Sequence, residues 1–319
     1  MTLVQLEAFV LSARLKTFSA AAQQMGITQP AVSDLVARLE AELNTKLFRR
    51  TKRSVIITAA GEQLFPFAEQ SMTSAMQGVQ AVKSMMSLGG GTATFGLLRN
   101  ADFYLGTNLA KRFHALYPDV HIRLIGQNSA ETAADVASGY LEAGLVTLPI
   151  DDAELDVVPL ARDEVLYVSA DQKRGRKPPG IYDLGEVPLV LYDAHYALTD
   201  PARRQLNDRA RVAGVKLNPL IEVEYLATAL ALVSEGIGDT IACRAALKSD
   251  GYPANLYSTP FAEPLYDTLA LVKRRGQLLS PATRELARLA HESLIAFQRS
   301  DAGTTELLPS ATDTTSFFF

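Results

Sequence analysis

The chain has one cysteine, Cys243, and no tryptophan among its 319 residues. A single cysteine rules out an intramolecular disulfide, and with it a switch built on one, and leaves no basis for a cysteine-ligated zinc site. The four histidines, His114, His121, His195 and His291, are scattered without metal-ligand spacing, so no metal site is expected. No apolar run reaches about 18 residues, so no membrane span is expected. The N-terminus lacks a basic stretch followed by an apolar run and a small-residue cleavage site, so no secretory signal is expected. No nucleophile sits in surroundings such as G-x-S-x-G, and Gly89-Gly90-Gly91 lacks the Lys-Ser/Thr of a phosphate loop. Neither an enzyme nor a bound cofactor is therefore expected. What remains is ordinary globular composition, 48% hydrophobic and 21% charged, long enough for two or three domains and suited to a reducing cytoplasm.

Charge is unevenly spread. Residues 1–58 carry eight Lys/Arg and four Asp/Glu, net +4, while the remainder carries 23 and 31, net −8. A basic N-terminal module on an acidic body points to a polyanionic partner for the first and a different task for the second.

Within the basic module, Leu3, Leu6, Phe9 and Val10 recur at helical spacing and predict a helix over about 2–13. Ser19–Met25 reads as a second, short helix closed by Gly26, which reaches positive φ without penalty. Ile27 is read as an apolar plug and Thr28 as an N-cap. Pro30 then falls in the first turn of a third helix, about Gln29–Leu43, where its missing N–H has no helical partner anyway. Val32, Leu35, Val36, Leu39 and Leu43 form the expected buried stripe, and Gln29, Ser33 and Arg38 lie away from it. Two helices across a tight glycine turn make either a plain helical hairpin or a helix-turn-helix. In the second case the later helix enters a DNA major groove with its N-terminal residues nearest the bases. Gln29 and Ser33 are then candidate base readers and Thr28 a phosphate contact. The segment LFRRTKRSVIIT (47–58) has four positive charges and no acid. It predicts a β-hairpin turning at Thr51–Ser54, a wing suited to phosphate or minor-groove contact.

The stretch 18–61 resembles the LysR-type transcriptional regulators. The resemblance rests on Ala21-Ala22, Thr28-Gln29-Pro30-Ala31-Val32-Ser33, Leu39-Glu40, Leu47-Phe48, Arg50, Arg53, Thr58 and Gly61. It implies a winged helix-turn-helix binding double-stranded DNA through Thr28, Gln29, Pro30, Ser33, Asp34, Arg38, Arg50, Lys52 and Arg53. Asp34 departs from the pattern, since many members carry a basic or polar residue there.

From Ala59 to about Leu88 the chain reads as one helix capped by Thr58. Ala68, Met72, Ala75, Val79, Val82 and Met86 alternate at four and three residues, a coiled-coil seam. Pro66 interrupts its first part and is read as a kink. The resemblance implies that this linker helix joins a homodimer, which assembles further to a homotetramer. Leu88–Thr92 reads as a flexible hinge.

Strand and helix patterns alternate through the acidic body, which predicts an α/β architecture with a mainly parallel sheet. Residues 117–146 and 235–242 resemble the family's effector-binding region, which implies two periplasmic-binding-protein-like lobes facing across a cleft. The expected boundaries are 1–58 for the winged helix-turn-helix and 59–91 for linker helix and hinge. Lobe I spans 92–161 with 265–298, lobe II spans 162–264, and 299–319 is a polar, disordered tail ending in three phenylalanines. Ligands of such sheets bind at strand carboxyl ends beside helix N-termini. Asn100, Asn128, Ser129, Thr147, His195, Tyr196 and Tyr225 hold such positions and are the candidate effector contacts. Helix N–H donors near Asn128 and Ser129 favour a carboxylate. Phe103, Tyr104, Tyr196 and Tyr225 near the strand ends favour an aromatic effector. Cys243, at the end of an apolar strand, reads as a buried inert thiol.

Overall fold

A computed structural model of the chain describes residues 1–50, 55–85, 92–105, 108–312 and 314–318. They form two compact units, Met1–Lys83 and Ser84–Phe319. In the first, α1 (Leu3–Leu15), α2 (Phe18–Met25) and α3 (Gln29–Glu42) precede a hairpin of β1 (Phe48–Arg50) and β2 (Val55–Ile57), and α4 (Ala59–Met85) follows. Local chemistry sets each boundary. The Thr2 hydroxyl accepts from the Gln5 amide and the Thr17 hydroxyl from the Ala20 amide, so each starts a helix. Gly26 closes α2 at φ 67°, and its N–H reaches the Ala22 and Gln23 carbonyls. Pro30 lies in the first turn of α3. Phe9 stacks on Phe48 at 5.4 Å between centroids and Phe18 meets Phe48 edge-on at 5.8 Å, so three helices and the hairpin share one core.

The buried stripe is narrower than the sequence predicts. Val32, Val36 and Leu39 are buried and Leu35 partly so, but Leu43 is 40% exposed because α3 ends before it. Ile27, read as a plug, is also 40% exposed, since the turn holds it outside the core. On α4, Ala68 and Met72 pack against the unit's own core, whereas Phe67, Met76 and Val79 stay exposed. Val82, Met86 and the Gly89–Gly91 hinge fall where no side-chain structure is described.

The second unit is built on one sheet. Its first half contains β3 (Thr92–Leu98), α5 (Asp102–Leu105), α6 (Asn108–Leu116), β4 (His121–Gln127), α7 (Ser129–Ser138), β5 (Ala143–Leu148) and the start of β6 (Leu155–Ser169). Its second half adds α8 (Ile181–Gly185), β7 (Leu189–Leu191), α9 (Pro201–Ala213), β8 (Pro219–Glu222), α10 (Leu226–Ser234) and β9 (Asp239–Cys243). The chain returns through β10 (Tyr257–Arg274) and closes with α11 (Pro281–Gln298), β11 (Glu306–Leu307) and α12 (Thr315–Phe318). Strand order is β4-β3-β5-β10-β6-β9-β7-β8, with β11 on β6.

The sheet is mixed rather than mainly parallel. β3 pairs parallel with β4 and β5, and β7 with β8 and β9, but β10 runs antiparallel to β5 and β6, and β6 to β9. The long β6–β10 ribbon passes from one lobe to the other, and its halves were not all legible as strands. Pro159 and Pro260 interrupt the pattern, and both lie at shifts of register, where a missing N–H is tolerated.

The tail departs from its expected disorder. The Leu308 amide donates to the Leu160 carbonyl at 2.9 Å, the Arg162 guanidinium meets Glu306 at 2.6 Å, and Phe317 is buried beneath the Lys273 ammonium. Its polar composition hid the edge left open by β6 and the apolar site that receives Phe317.

Candidate functional site

The helix-turn-helix presents a polar face. Thr28, Gln29, Pro30, Asp34 and Arg38 are exposed, and Ser33 is half-buried. Thr28 occupies the N-cap position of α3 with extended backbone, yet its side chain makes no capping hydrogen bond. The first turn thus keeps N–H groups directed outward at the positive end of the helix dipole. Asp34, the awkward acid of the motif, forms an i,i+4 ion pair with Arg38 at 2.7 Å. Its charge is locally compensated. Both side chains are more than half exposed, so the pair adds little stability and is readily opened. Arg49 projects from β1 into solvent. The side chains of Arg50, Lys52 and Arg53 lie outside the described residues.

Glu40 is the residue of this unit that site reasoning passed over. Its side chain is 4% exposed and accepts from the Leu47 and Phe48 amides at 2.9 and 3.2 Å and from Lys46 Nζ at 2.7 Å. Burial pulls its pKa upward, but the Lys46 and backbone hydrogen bonds outweigh it and hold the carboxyl below its ordinary value. Glu40 thereby ties the candidate reading helix to the hairpin. The same hairpin fixes the start of α4. The Thr58 hydroxyl donates to the Lys46 carbonyl at 2.7 Å and accepts from the Gly61 amide at 3.2 Å. A Cβ at Gly61 would lie 2.6 Å from the Leu47 carbonyl oxygen, so only glycine allows this approach.

In the second unit, a cavity of about 30 Å³ lies where strand ends of the two lobes meet. Asn100, Asn128, Ser129 and Thr147 line it on one side. His195, Tyr196 and Tyr225 do not. The His195 amide donates to Glu224 at 3.1 Å, the His195 and Tyr196 rings meet edge-on at 4.8 Å, and Tyr225, 60% exposed, lies beneath the Arg99 guanidinium. The expected aromatic cluster does not form a wall: Tyr104 alone of the four reaches the cavity, with its hydroxyl on Asp163 at 3.1 Å.

Carboxylates dominate instead. Asp193, Asp200 and Asp267 line the cavity from the second lobe and the shared strand β10. Asn128, buried at 2% exposure, donates to Asp193 and Asp200 at 3.1 Å each, while its carbonyl caps α7 through the Ala130 amide at 2.9 Å. Arg99 reaches Asp193 at 3.3 Å and also pairs with Glu224. These contacts cross from lobe to lobe. Asp193 adopts φ 56° and ψ 49°, a left-handed conformation that Asp tolerates better than most residues. Burial pushes the Asp193 carboxyl up to about 6, with Asp200 adding to the shift. Burial also raises Asp267, and its acidic neighbours Asp200, Asp163 and Asp193 raise it further. Sequence reasoning missed Arg99 and all three aspartates. The signal of two was present: Asp193 follows LVLY at a strand end, and Asp267 is the one charged residue in the stretch 265–272.

Among the described residues no group of three or more His, Cys, Asp or Glu side chains could hold a metal ion, and no helix is long and apolar enough to cross a membrane. Cys243 is buried, and burial first, then Asp267 and Asp163, pushes its thiol up to about 12.

A winged helix-turn-helix on a long helix, joined to a two-lobed α/β unit with a polar cleft, defines a ligand-responsive DNA-binding protein. Residues 3–62 match the family described as bacterial regulatory helix-turn-helix protein, lysR family, and residues 87–295 match the LysR substrate binding domain. The chain belongs to the LysR family of transcriptional regulators. It is similar to the uncharacterized HTH-type transcriptional regulator YbhD of Escherichia coli (strain K12), 27% identical with 90% of each chain covered. It is also 27% identical to a probable hydrogen peroxide-inducible genes activator of Mycobacterium avium, covering 91% of this chain and 94% of that one. Among solved structures, full-length CbnR complexed with its target DNA shares the fold, with a TM-score of 0.65 at 18% identity over 92% of this chain and 100% of that one. The Corynebacterium glutamicum OxyR C206 mutant aligns with a TM-score of 0.55 at 26% identity over 93% and 92% of the two chains.

Proposed function

We propose that this regulator reads DNA through the first turns of α3 and answers to a small molecule held between its two lobes. Gln29 and Ser33 read base edges, Pro30 allows close approach, and Thr28 contacts a phosphate. Arg50, Lys52 and Arg53 hold the wing on the backbone. Arg38 exchanges its bond to Asp34 for a phosphate, which leaves Asp34 able to accept from a cytosine amino group. The exposed start of α3, with no side-chain cap at Thr28, is the observation that carries this reading. Exposed Phe67, Met76 and Val79 on α4 support a homodimer through that helix, with dimers pairing to a homotetramer. A two-fold dimer reads two half-sites where one helix reads few base pairs. The effector closes or opens the lobes by binding one arrangement better than the other, and so biases the spacing of the DNA-binding units. The protein acts in the cytoplasm by binding, not by catalysis.

Selection of bound sequences from random DNA, followed by salt-dependent gel shifts, tests the proposal. Ser33→Arg is expected to change the selected sequence. Arg50→Ala should weaken binding across sequences and reduce the salt slope by about one. If neither variant differs from wild type, the groove assignment is wrong.

A further inference from the structure

The cleft has the wrong charge for an anionic effector. Three of its lining residues are aspartates, and its one lining cation, Arg99, is already committed to Asp193 and Glu224. The helix N-terminus at the cavity carries its own cap, because Asn128 takes the Ala130 amide. The Asn128 amide nitrogen gives its two hydrogens to Asp193 and Asp200. The Asn128 and Arg99 donors are therefore directed at carboxylates within the protein. One acceptor stays open. Asp267 is 8% exposed, lines the cavity, and its Oδ1 has no hydrogen-bond partner among the described residues. A buried, unsatisfied carboxylate oxygen is costly unless a donor arrives or the group takes a proton.

We infer that the cleft takes the protonated amino group of a small organic cation, whose N–H bonds go to the unpartnered Asp267 Oδ1 and to Asp193 and Asp200. This deepens the reading of the cleft as the effector site and rests on it. A cavity of about 30 Å³ has room for a water-sized group, and an ammonium head is of that size. The rest of the ligand follows through the seam between the lobes. An ammonium offers up to three N–H donors to the carboxylates lining the cavity, which a carboxylate cannot do. A divalent metal is a poorer occupant, because the Asn128 amide presents donors rather than lone pairs and no metal-holding group exists among the described residues. An ammonium lying between residues of both lobes would also favour their approach, which is the coupling that a regulator needs.

The test uses the full chain at pH 7.5 and constant ionic strength. Methylammonium, 1,4-diaminobutane and alanine are compared with sodium chloride, acetate and benzoate by thermal shift and calorimetric titration. At least one of the amines is expected to raise the melting temperature above the sodium chloride control. Alanine acting alone identifies a zwitterion; methylammonium or the diamine acting identifies a simple amine. Asp267→Asn and Asp193→Asn should each weaken that binding at least tenfold. Both should melt no lower than wild type without ligand, which separates lost recognition from lost folding. No shift with any amine, or undiminished binding by both variants, overturns the inference. Binding of acetate or benzoate alone overturns it too, while leaving the cleft as the effector site. Gel shifts on the same preparation report separately on DNA binding.

Discussion

Glu40→Ala tests how the reading helix is tied to the wing. Two effects are removed together, and their sizes differ. Lys46 is 76% exposed, so its ion pair with Glu40 is worth about 0–1 kcal/mol. The two backbone amides are a different matter. Hydrogen bonds to a charged acceptor contribute about 1.5–3 kcal/mol each, and the buried Leu47 and Phe48 N–H groups would lose theirs without a replacement. Allowing for non-additivity, Glu40→Ala should cost about 2–4 kcal/mol locally, and Lys46→Ala no more than about 1 kcal/mol. Each 1.4 kcal/mol is a factor of ten, so amide exchange over residues 47–57 should quicken roughly 30- to 1,000-fold in the first variant and less than about tenfold in the second. Hydrogen exchange with mass spectrometry reads this directly, and DNA affinity should fall with it. Equal exchange in the two variants would refute the reasoning, since the surface ion pair would then be the bond that matters.

Other outcomes follow from the same geometry. Phe317→Ala should destabilise the larger unit by about 3–5 kcal/mol and expose the tail to limited proteolysis, because Phe317 is 1% exposed. Cys243 should resist a thiol reagent at pH 8 in the native protein and react fully once unfolded; rapid native labelling would contradict its burial. Gly61→Ala should loosen the contact between α4 and the hairpin and lower the melting temperature of the first unit, measured by circular dichroism. The two units should also respond to pH with opposite sign. Glu40 is held below its ordinary value, so its contribution is present above about pH 4.5 and lost as pH falls. Asp193 is raised from 3.8 to about 6, so the folded state binds the proton more tightly and stability falls as pH rises from about 4 to 6. That penalty is on the order of 3 kcal/mol at 1.36 kcal/mol per unit, and Asp193→Asn should lessen the fall in melts of the larger unit, with the raised Asp200 and Asp267 keeping part of it.

The DNA-binding unit was legible because each of its turns has a local cause. Gly26 needs positive φ, Pro30 fits only a first turn, and the valine and leucine stripe of α3 repeats at helical spacing. The parts that were not legible depend on distant chain. Leu43 and Ile27 are apolar by type but exposed by position, and nothing local says where a helix leaves its core. Only part of the β6–β10 ribbon was legible: 163–170 and 266–273 read as strands, but the stretches holding Pro159 and Pro260 did not, and only pairing reveals that those prolines fall at register shifts. The tail looked disordered because its partner, the edge of β6, lies about 150 residues earlier in the chain.

The cleft shows a different limit. Position at strand ends was enough to find Asn100, Asn128, Ser129 and Thr147, since βα topology fixes where such residues point. It was not enough to give the sign of the field they sit in. Asn128 reads in sequence as a helix cap able to favour an anion. In the fold its amide hydrogens are spent on Asp193 and Asp200, residues 65 and 72 positions away. The chemistry of the site is therefore set by the second lobe, and a reading of either lobe alone gives the wrong charge. Asp267 makes the same point from the shared strand. An aspartate in an apolar strand is costly unless something meets it. In this cleft the side chain is buried, unpartnered at one oxygen and surrounded by other acids. A bound ammonium would relieve that cost, and the acids that would share it, Asp193 and Asp200, line the same cavity only because the second lobe and β10 both reach it.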